Sequence, residues 1–270
     1  MEELLQIAIN AAVLAGQEIL SIYDTDFVVK YKKDTSPLTK ADSNANAIIM
    51  GFLEKTEIPI ISEENKQTAY AIRKDWTRCW MVDPLDGTKE FINRNGEFTV
   101  NIALIENGTP VLGVLYIPVT KLLYYTSATG GASYKTTIDS ETFTTVPEIL
   151  KTSEKLFGNS VKDQVFKITT SRSHLNSRTK RYIEAKRKQH PVTVITKGSS
   201  LKFCLLAEGS ADVYPRFAPT MEWDTAAGHA ICQAAGVSVL DFLTKEPLQY
   251  NKENLLNSFF IASTNNVHFE

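Results

Sequence analysis

Residues 79–82, Cys-Trp-Met-Val, form an apolar run that opens directly into Asp83-Pro84-Leu85-Asp86-Gly87-Thr88. A short apolar run bounded by turn residues reads as a buried strand. Pro84 has no N–H for a ladder hydrogen bond, so the pattern predicts that the strand stops there. The chain must therefore fold so that a core strand delivers two carboxylates, Asp83 and Asp86, to one place. Gly87 permits unusual backbone angles and close approach, and Thr88 sets a hydroxyl beside the carboxylates. Taken alone, the Asp-Gly dipeptide is equally well an ordinary turn with a helix cap after it.

Two further acidic runs change the weight of that pattern. Glu63-Glu64 follows a predicted strand at 58–61, and Glu222-Trp223-Asp224-Thr225-Ala226-Ala227-Gly228 lies far downstream. Together they make an oxygen-ligand set suited to Mg²⁺, which keeps several waters and sits between carboxylates and substrate phosphate. Two or more ions across a phosphate ester activate water and stabilise the leaving oxygen.

The two signatures, Asp83 to Thr88 and Trp223 to Gly228, resemble those of the inositol monophosphatase superfamily of Mg²⁺-dependent, lithium-sensitive phosphatases. Three further runs, at 85–91, 95–104 and 198–204, are similar to its bacterial CysQ-type branch of 3'(2'),5'-bisphosphate nucleotidases. The resemblance extends from Met1 to about Phe260 and weakens between 135 and 163. It implies a layered αβαβα sandwich of two closely packed lobes with the metal site between them. Residues 1–150 would form an α+β lobe carrying most metal ligands, and 151–270 an α/β lobe carrying nucleotide-binding residues.

By resemblance, Glu63, Asp83, Asp86, Asp224 and the Leu85 carbonyl hold two or three Mg²⁺ ions, while Glu64 stands behind them or in solvent. Asp42 would accept from Thr88, and the pair would orient the attacking water, a relay of the general-base kind. From its local sequence alone Asp42 reads as a first-turn carboxylate favoured by the helix dipole, and the resemblance reverses that reading. Asp34 is either near a third ion or in a turn. Ser62, where relatives acting on inositol phosphates often carry Gly, leans toward the nucleotidase branch.

Substrate contacts are expected from Glu63, Leu85, Asp86, Gly87, Thr88 and Asp224, joined by His174, Ser199, Lys202 and Arg216. His174 follows a predicted strand, where α/β folds place binding loops; a lone His is also often structural. Small residues at 198–200 before a helix read as an anion site or as a plain Ser N-cap. Arg216 could pair with a second phosphate or lie on the surface. The activity implied is removal of the 3'-phosphate from adenosine 3',5'-bisphosphate, a by-product of sulfate assimilation. An inositol or sugar phosphatase on the same fold is the nearest alternative, and a non-catalytic nucleotide-binding regulator a more distant one. No covalent phosphoenzyme is expected, because no Cys loop or Ser-His pair stands out.

Composition sets outer bounds. The 270 residues are 43% hydrophobic with a net charge of -2, which argues against binding nucleic-acid polymers. Lys180-Arg181 and Lys186-Arg187-Lys188 read as a solvated helix face. Three cysteines in apolar contexts, Cys79, Cys204 and Cys232, suggest reduced, buried thiols of a cytoplasmic protein. Glu2 and Glu3 stand where a signal peptide would be basic, and no apolar stretch reads as membrane-spanning. The expected partner is a small nucleotide bisphosphate; a homodimer and contact with the cytoplasmic face of the inner membrane stay open.

Periodicity supplies the element order. Helices are predicted at 2–23, from an N-cap at Thr39 to 54, and at 176–189, 199–208 and 224–235. A hairpin is predicted around Asn107-Gly108, with strands at 98–105 and 109–117. Further strands are expected at 122–126, 166–170, 192–196, 211–214 and 237–241. Residues 140–163, polar and Thr-rich, read as a surface connector.

Overall fold

A computed structural model describes residues 1–26, 28–31, 37–138, 145–158, 165–173 and 175–264. Helix α1 (Glu2–Tyr23) is followed by strands β1 (Lys30–Tyr31) and β2 (Pro37–Leu38), helix α2 (Lys40–Leu53), β3 (Ile60–Ser62), a short α3 (Tyr70–Arg73) and β4 (Arg78–Asp86). Helix α4 (Thr88–Ile92) leads to β5 (Thr99–Glu106), β6 (Thr109–Ile117), β7 (Leu122–Thr126) and β8 (Ser133–Thr137). Then come α5 (Val146–Lys151), β9 (Glu154–Lys155), β10 (Phe166–Ser171), α6 (Ser177–Arg187), β11 (Val192–Lys197) and α7 (Leu201–Ala207). The chain closes with β12 (Val213–Arg216), α8 (Ala226–Ala234), β13 (Val237–Asp241) and β14 (Phe260–Thr264).

Strands β3 to β9 form one seven-stranded sheet in chain order, and β11-β10-β12-β14-β13 form a five-stranded one. One core packs α1 and α2 on the first sheet through Ile9, Ile49, Val82 and Leu104. A second packs α7 and α8 between the sheets through Ala103, Leu115, Phe203, Ala227 and Phe260. The result is the layered alternation of helices and sheets that the sequence predicts. The small residues after Asp224 make this intimacy feasible: a Cβ on Gly228 would come within 2.4 Å of the Phe203 ring. The β5–β6 turn has positive φ at Asn107 (48°) and Gly108 (78°), the geometry that matches strand twist in a tight hairpin.

Four expectations need correction. Strand β4 does not stop at Pro84. It runs to Asp86 through a register shift in which Asp83 pairs Asn101 and Asp86 pairs Thr99. Between these pairs two residues, Pro84 and Leu85, oppose the single Val100, so Pro84 sits in a bulge where no ladder N–H is required. Residues 145–158 are not a featureless connector: α5 buries Val146 and Ile149 against the first core, and β9 adds a strand at the sheet's edge. Periodicity also missed β14, which is paired on both sides in the second sheet. Finally, α1 is long and apolar enough to cross a membrane by composition, yet Leu5, Ala8, Ile9, Ala12, Ala15 and Ile19 are buried inside the fold.

Candidate active site

The site begins with strand register. Parallel pairing sets Ser62 beside Val82, and the Glu63 N–H continues the ladder to the Val82 carbonyl at 3.1 Å. Glu63 thus emerges next to Asp83. Asp224 arrives from the opposite side on a 3-10 turn at Glu222–Asp224. Ligand atoms of Glu63, Asp83 and Asp224 all lie within 4.8 Å of one another. Asp86 joins them in a cleft of about 270 Å³.

The carboxylates are held apart from their own charges only by geometry. Burial, then the neighbouring charges of Glu63, Asp86 and Asp224, push the Asp83 carboxyl well above the usual carboxylate range. Loss of surrounding water, followed by Asp86 and Glu63, does the same to Asp224. Asp86 is also raised by desolvation, but Lys202 and a hydrogen bond from Ser200 oppose the rise. Such a cluster is costly as it stands, and a divalent cation would remove the cost. All-oxygen donors of this kind fit Mg²⁺. The Leu85 side chain is core, at 2% exposure, while its carbonyl faces the Thr88 hydroxyl at 3.4 Å.

Thr88 starts α4, reached through Gly87 at a φ of +91°. A Cβ on Gly87 would lie 3.0 Å from Ser199 Cβ and 3.2 Å from the Glu97 carbonyl, so the turn needs glycine for both conformation and space. The Thr88 hydroxyl donates to Asp42 Oδ1 at 3.2 Å. Asp42 is 2% exposed, and its other oxygen accepts from the Thr39 N–H at 2.7 Å and the Thr39 hydroxyl at 2.6 Å. Burial raises the Asp42 carboxyl, with the Thr39 and Thr88 hydrogen bonds acting against it. The first-turn capping carboxylate and the Thr88 acceptor are therefore the same group, one role per oxygen.

Across the cleft stand Lys202 and Arg216, 4% and 7% exposed. The Lys202 ammonium donates to the Ser199 carbonyl and, at 3.4 Å, to that of Lys197. It lies 5.3 Å from the Tyr214 ring centroid. Burial pushes it down to about 8, although Asp86 acts to raise it. Arg216 donates to the Pro219 carbonyl at 2.8 Å, while its buried Nε has no hydrogen-bond partner among the described residues. Arg216 is thus not a surface residue. Ser199 lines the cleft at a φ of +39°. Helix α7 starts two residues later than expected, and Ser200, at its N-cap position, makes no capping bond. His174 and Asp34 lie outside the described residues.

Ser200, read from the sequence only as part of a small-residue helix start, has a role there that the pattern did not show. Its hydroxyl reaches Asp86 Oδ2 at 2.7 Å and the Asp224 carbonyl at 2.9 Å, and accepts from Asn101 Nδ2 at 2.9 Å. Thr99 then donates to Asn101 Oδ1 at 2.9 Å. This buried chain joins the Asp86 carboxylate to the backbone of Asp224. Its signal was legible: Thr99 and Asn101 are polar residues within an otherwise apolar strand, where they need partners.

A strand-borne carboxylate cluster with a Thr-Asp pair, set between two sheets, defines a class. The chain belongs to the inositol monophosphatase family, whose model matches residues 1–267. Within it, the chain is 44% identical to the 3'(2'),5'-bisphosphate nucleotidase CysQ of Salmonella typhimurium, over 96% of this chain and 98% of that protein. It is 42% identical to the CysQ of Escherichia coli K12, over 97% and 99%. The crystal structure of CysQ from Bacteroides thetaiotaomicron, a bacterial member of the family, superposes with a TM-score of 0.89 at 48% identity, covering 99% of both chains.

Proposed function

We propose that this protein is a Mg²⁺-dependent phosphomonoesterase that removes the 3'-phosphate of adenosine 3',5'-bisphosphate, giving AMP and phosphate. The carrying observation is one cleft with an acidic wall at Glu63, Asp83, Asp86 and Asp224 facing two buried cations, Lys202 and Arg216. A substrate with two phosphates would engage both sets of residues lining this cleft. The relatives named as bisphosphate nucleotidases support the same reading.

Glu63, Asp83, Asp86, Asp224 and the Leu85 carbonyl would hold two or three Mg²⁺ ions. When bound, the cation supplies Lewis-acid stabilisation of the phosphoryl oxygens and makes water a nucleophile at neutral pH. The chain's own residues do the rest. Thr88 commits its hydrogen to Asp42, so its oxygen is left to accept from the attacking water and aim it. Asp42 cannot turn away, because Thr39 holds its second oxygen. Water adds to phosphorus as the bond to the ribose 3'-oxygen breaks; the water passes one proton to Thr88 as Thr88 passes its own to Asp42, and the ribose oxygen takes up a proton from solvent, so that alcohol and inorganic phosphate result. Lys202 and Arg216 bind the phosphate that is not cleaved. Three free, buried cysteines suit a cytoplasmic enzyme.

The test is a substrate comparison. Adenosine 3',5'-bisphosphate should show a higher kcat/KM than inositol 1-phosphate, AMP should accumulate, and chelation should stop phosphate release. A parental preference for inositol 1-phosphate would move the protein to the inositol phosphatases instead.

A further inference from the structure

Glu97 lies in the segment between α4 and β5, outside the acidic cluster, with its side chain 13% exposed. Its two oxygens accept from Arg172 Nε at 2.8 Å, Arg172 Nη2 at 2.9 Å, Lys197 Nζ at 3.2 Å and the Gly198 N–H at 2.8 Å. Four donors nearly fill a carboxylate's acceptor capacity. Burial acts to raise Glu97, but these donors outweigh it and hold the group down at about 2. It is therefore ionised and occupied throughout the working pH range.

What Glu97 grips is as telling as how firmly it grips. Strands β10 and β11 run parallel with Ser171 beside Lys197, so Arg172 and Gly198 leave the same end of the sheet. Gly198 fits there only because it lacks a side chain: a Cβ would come 2.6 Å from Glu90 Cγ and 2.9 Å from the Glu97 carbonyl. The next residue, Ser199, has a φ of +39°, a conformation rare for serine. That turn points the Ser199 carbonyl at the Lys202 ammonium.

We infer that Glu97 is a specificity-determining positioning residue: through Gly198 and the Ser199 turn it places Lys202 for the substrate phosphate that is not cleaved. It also engages Arg172 and Lys197. The inference rests on the bisphosphate reading above. It goes beyond it by assigning a residue that touches neither the metal ligands nor the substrate.

The experiment compares the full-length parent with Glu97→Gln on adenosine 3',5'-bisphosphate and on p-nitrophenyl phosphate, which has no second phosphate. Glu97→Gln should raise KM for the bisphosphate about tenfold with kcat within about twofold, and leave both constants for p-nitrophenyl phosphate within about twofold. Gly198→Ala, which displaces the same turn by steric contact, should give the same KM-borne loss. Equal losses on both substrates, a loss carried by kcat, or no change would overturn the inference. Amide exchange at 197–202 should quicken in Glu97→Gln while α8 stays protected; unchanged exchange overturns the positioning role whatever the substrate. The parent's own choice of substrate judges the bisphosphate reading separately.

Discussion

Along the acidic wall of the cleft, Asp83 and Asp86 leave a single strand and Asp224 a single turn, whereas the cationic wall draws Lys202 from a seven-residue helix and Arg216 from another sheet. The energetics differ as much as the construction. Each cation is tied to a backbone carbonyl, of Ser199 or Pro219, and stands ready without a ligand. The carboxylates instead drive each other's protonation upward. One wall is preorganised by the protein, and the other is completed by what binds it. Chemistry should therefore fail when the acidic wall is altered, and discrimination should fail when the cationic wall is.

The largest effect is expected at Asp83→Asn or Asp224→Asn, which should lower kcat at least about a thousandfold at saturating Mg²⁺, since each removes a charge that holds an activating ion. Melting in chelator should hold steady or rise, because an amide removes buried charge repulsion. Activity near the parental level in either variant would break the division between the walls.

Thr88→Ala and Asp42→Asn come next, each expected to cost about a hundredfold or more in kcat with little change in KM. On the proposed relay the hydroxyl and the carboxylate act as one unit, so the double variant should be no worse than about the poorer single one. Multiplied losses, measured by steady-state kinetics, would separate the two roles.

Lys202→Ala should cost the bisphosphate about ten- to a hundredfold in kcat/KM, the scale of one charge-assisted contact of about 1.5–3 kcal/mol. The loss on p-nitrophenyl phosphate should be several-fold smaller. Parallel losses would assign Lys202 to the reacting phosphate and move it to the other wall.

The same contrast governs how far the sequence could be read. The acidic wall was legible because its carboxylates sit in short runs, Glu63-Glu64, Asp83 to Thr88 and Glu222 to Gly228, whose residue types suit oxygen-ligand chemistry. Helix α1, the Thr39 cap of α2 and strands β7 and β13 were legible from periodicity alone, because local pattern and burial agree there. Strand β4 was cut short because Pro84 obeys a ladder rule that the bulge suspends. Strand β14 was missed because its residues lack clean alternation; it is buried along its whole length. On the cationic wall, Lys202 and Arg216 could be nominated, but the props behind them could not. Glu97 meets the Gly198 N–H about a hundred residues away, and no local pattern encodes such a pair.

The smallest predicted effect separates the walls by pH without any substitution. A carboxyl raised in the folded state gives its fullest stability at low pH, where it is protonated, and loses it as pH rises through the folded value. Asp83 and Asp224 are of this kind. Glu97, held at about 2, is ionised from pH 5 to 8 and adds no slope there. Chelated protein should accordingly lose stability relative to Mg²⁺-loaded protein as pH climbs from about 5 to 8, as ligand binding competes less with protons. A difference of about 2 kcal/mol would appear as a gap of about 5 °C in melting temperature for a chain of this size. Asp83→Asn should shrink that gap, and Glu97→Gln should leave its pH dependence intact. A gap that stays flat with pH in the parent would mean that the carboxylates do not repel one another in the folded protein, and the contrast between a ligand-completed wall and a preorganised one would fall with it.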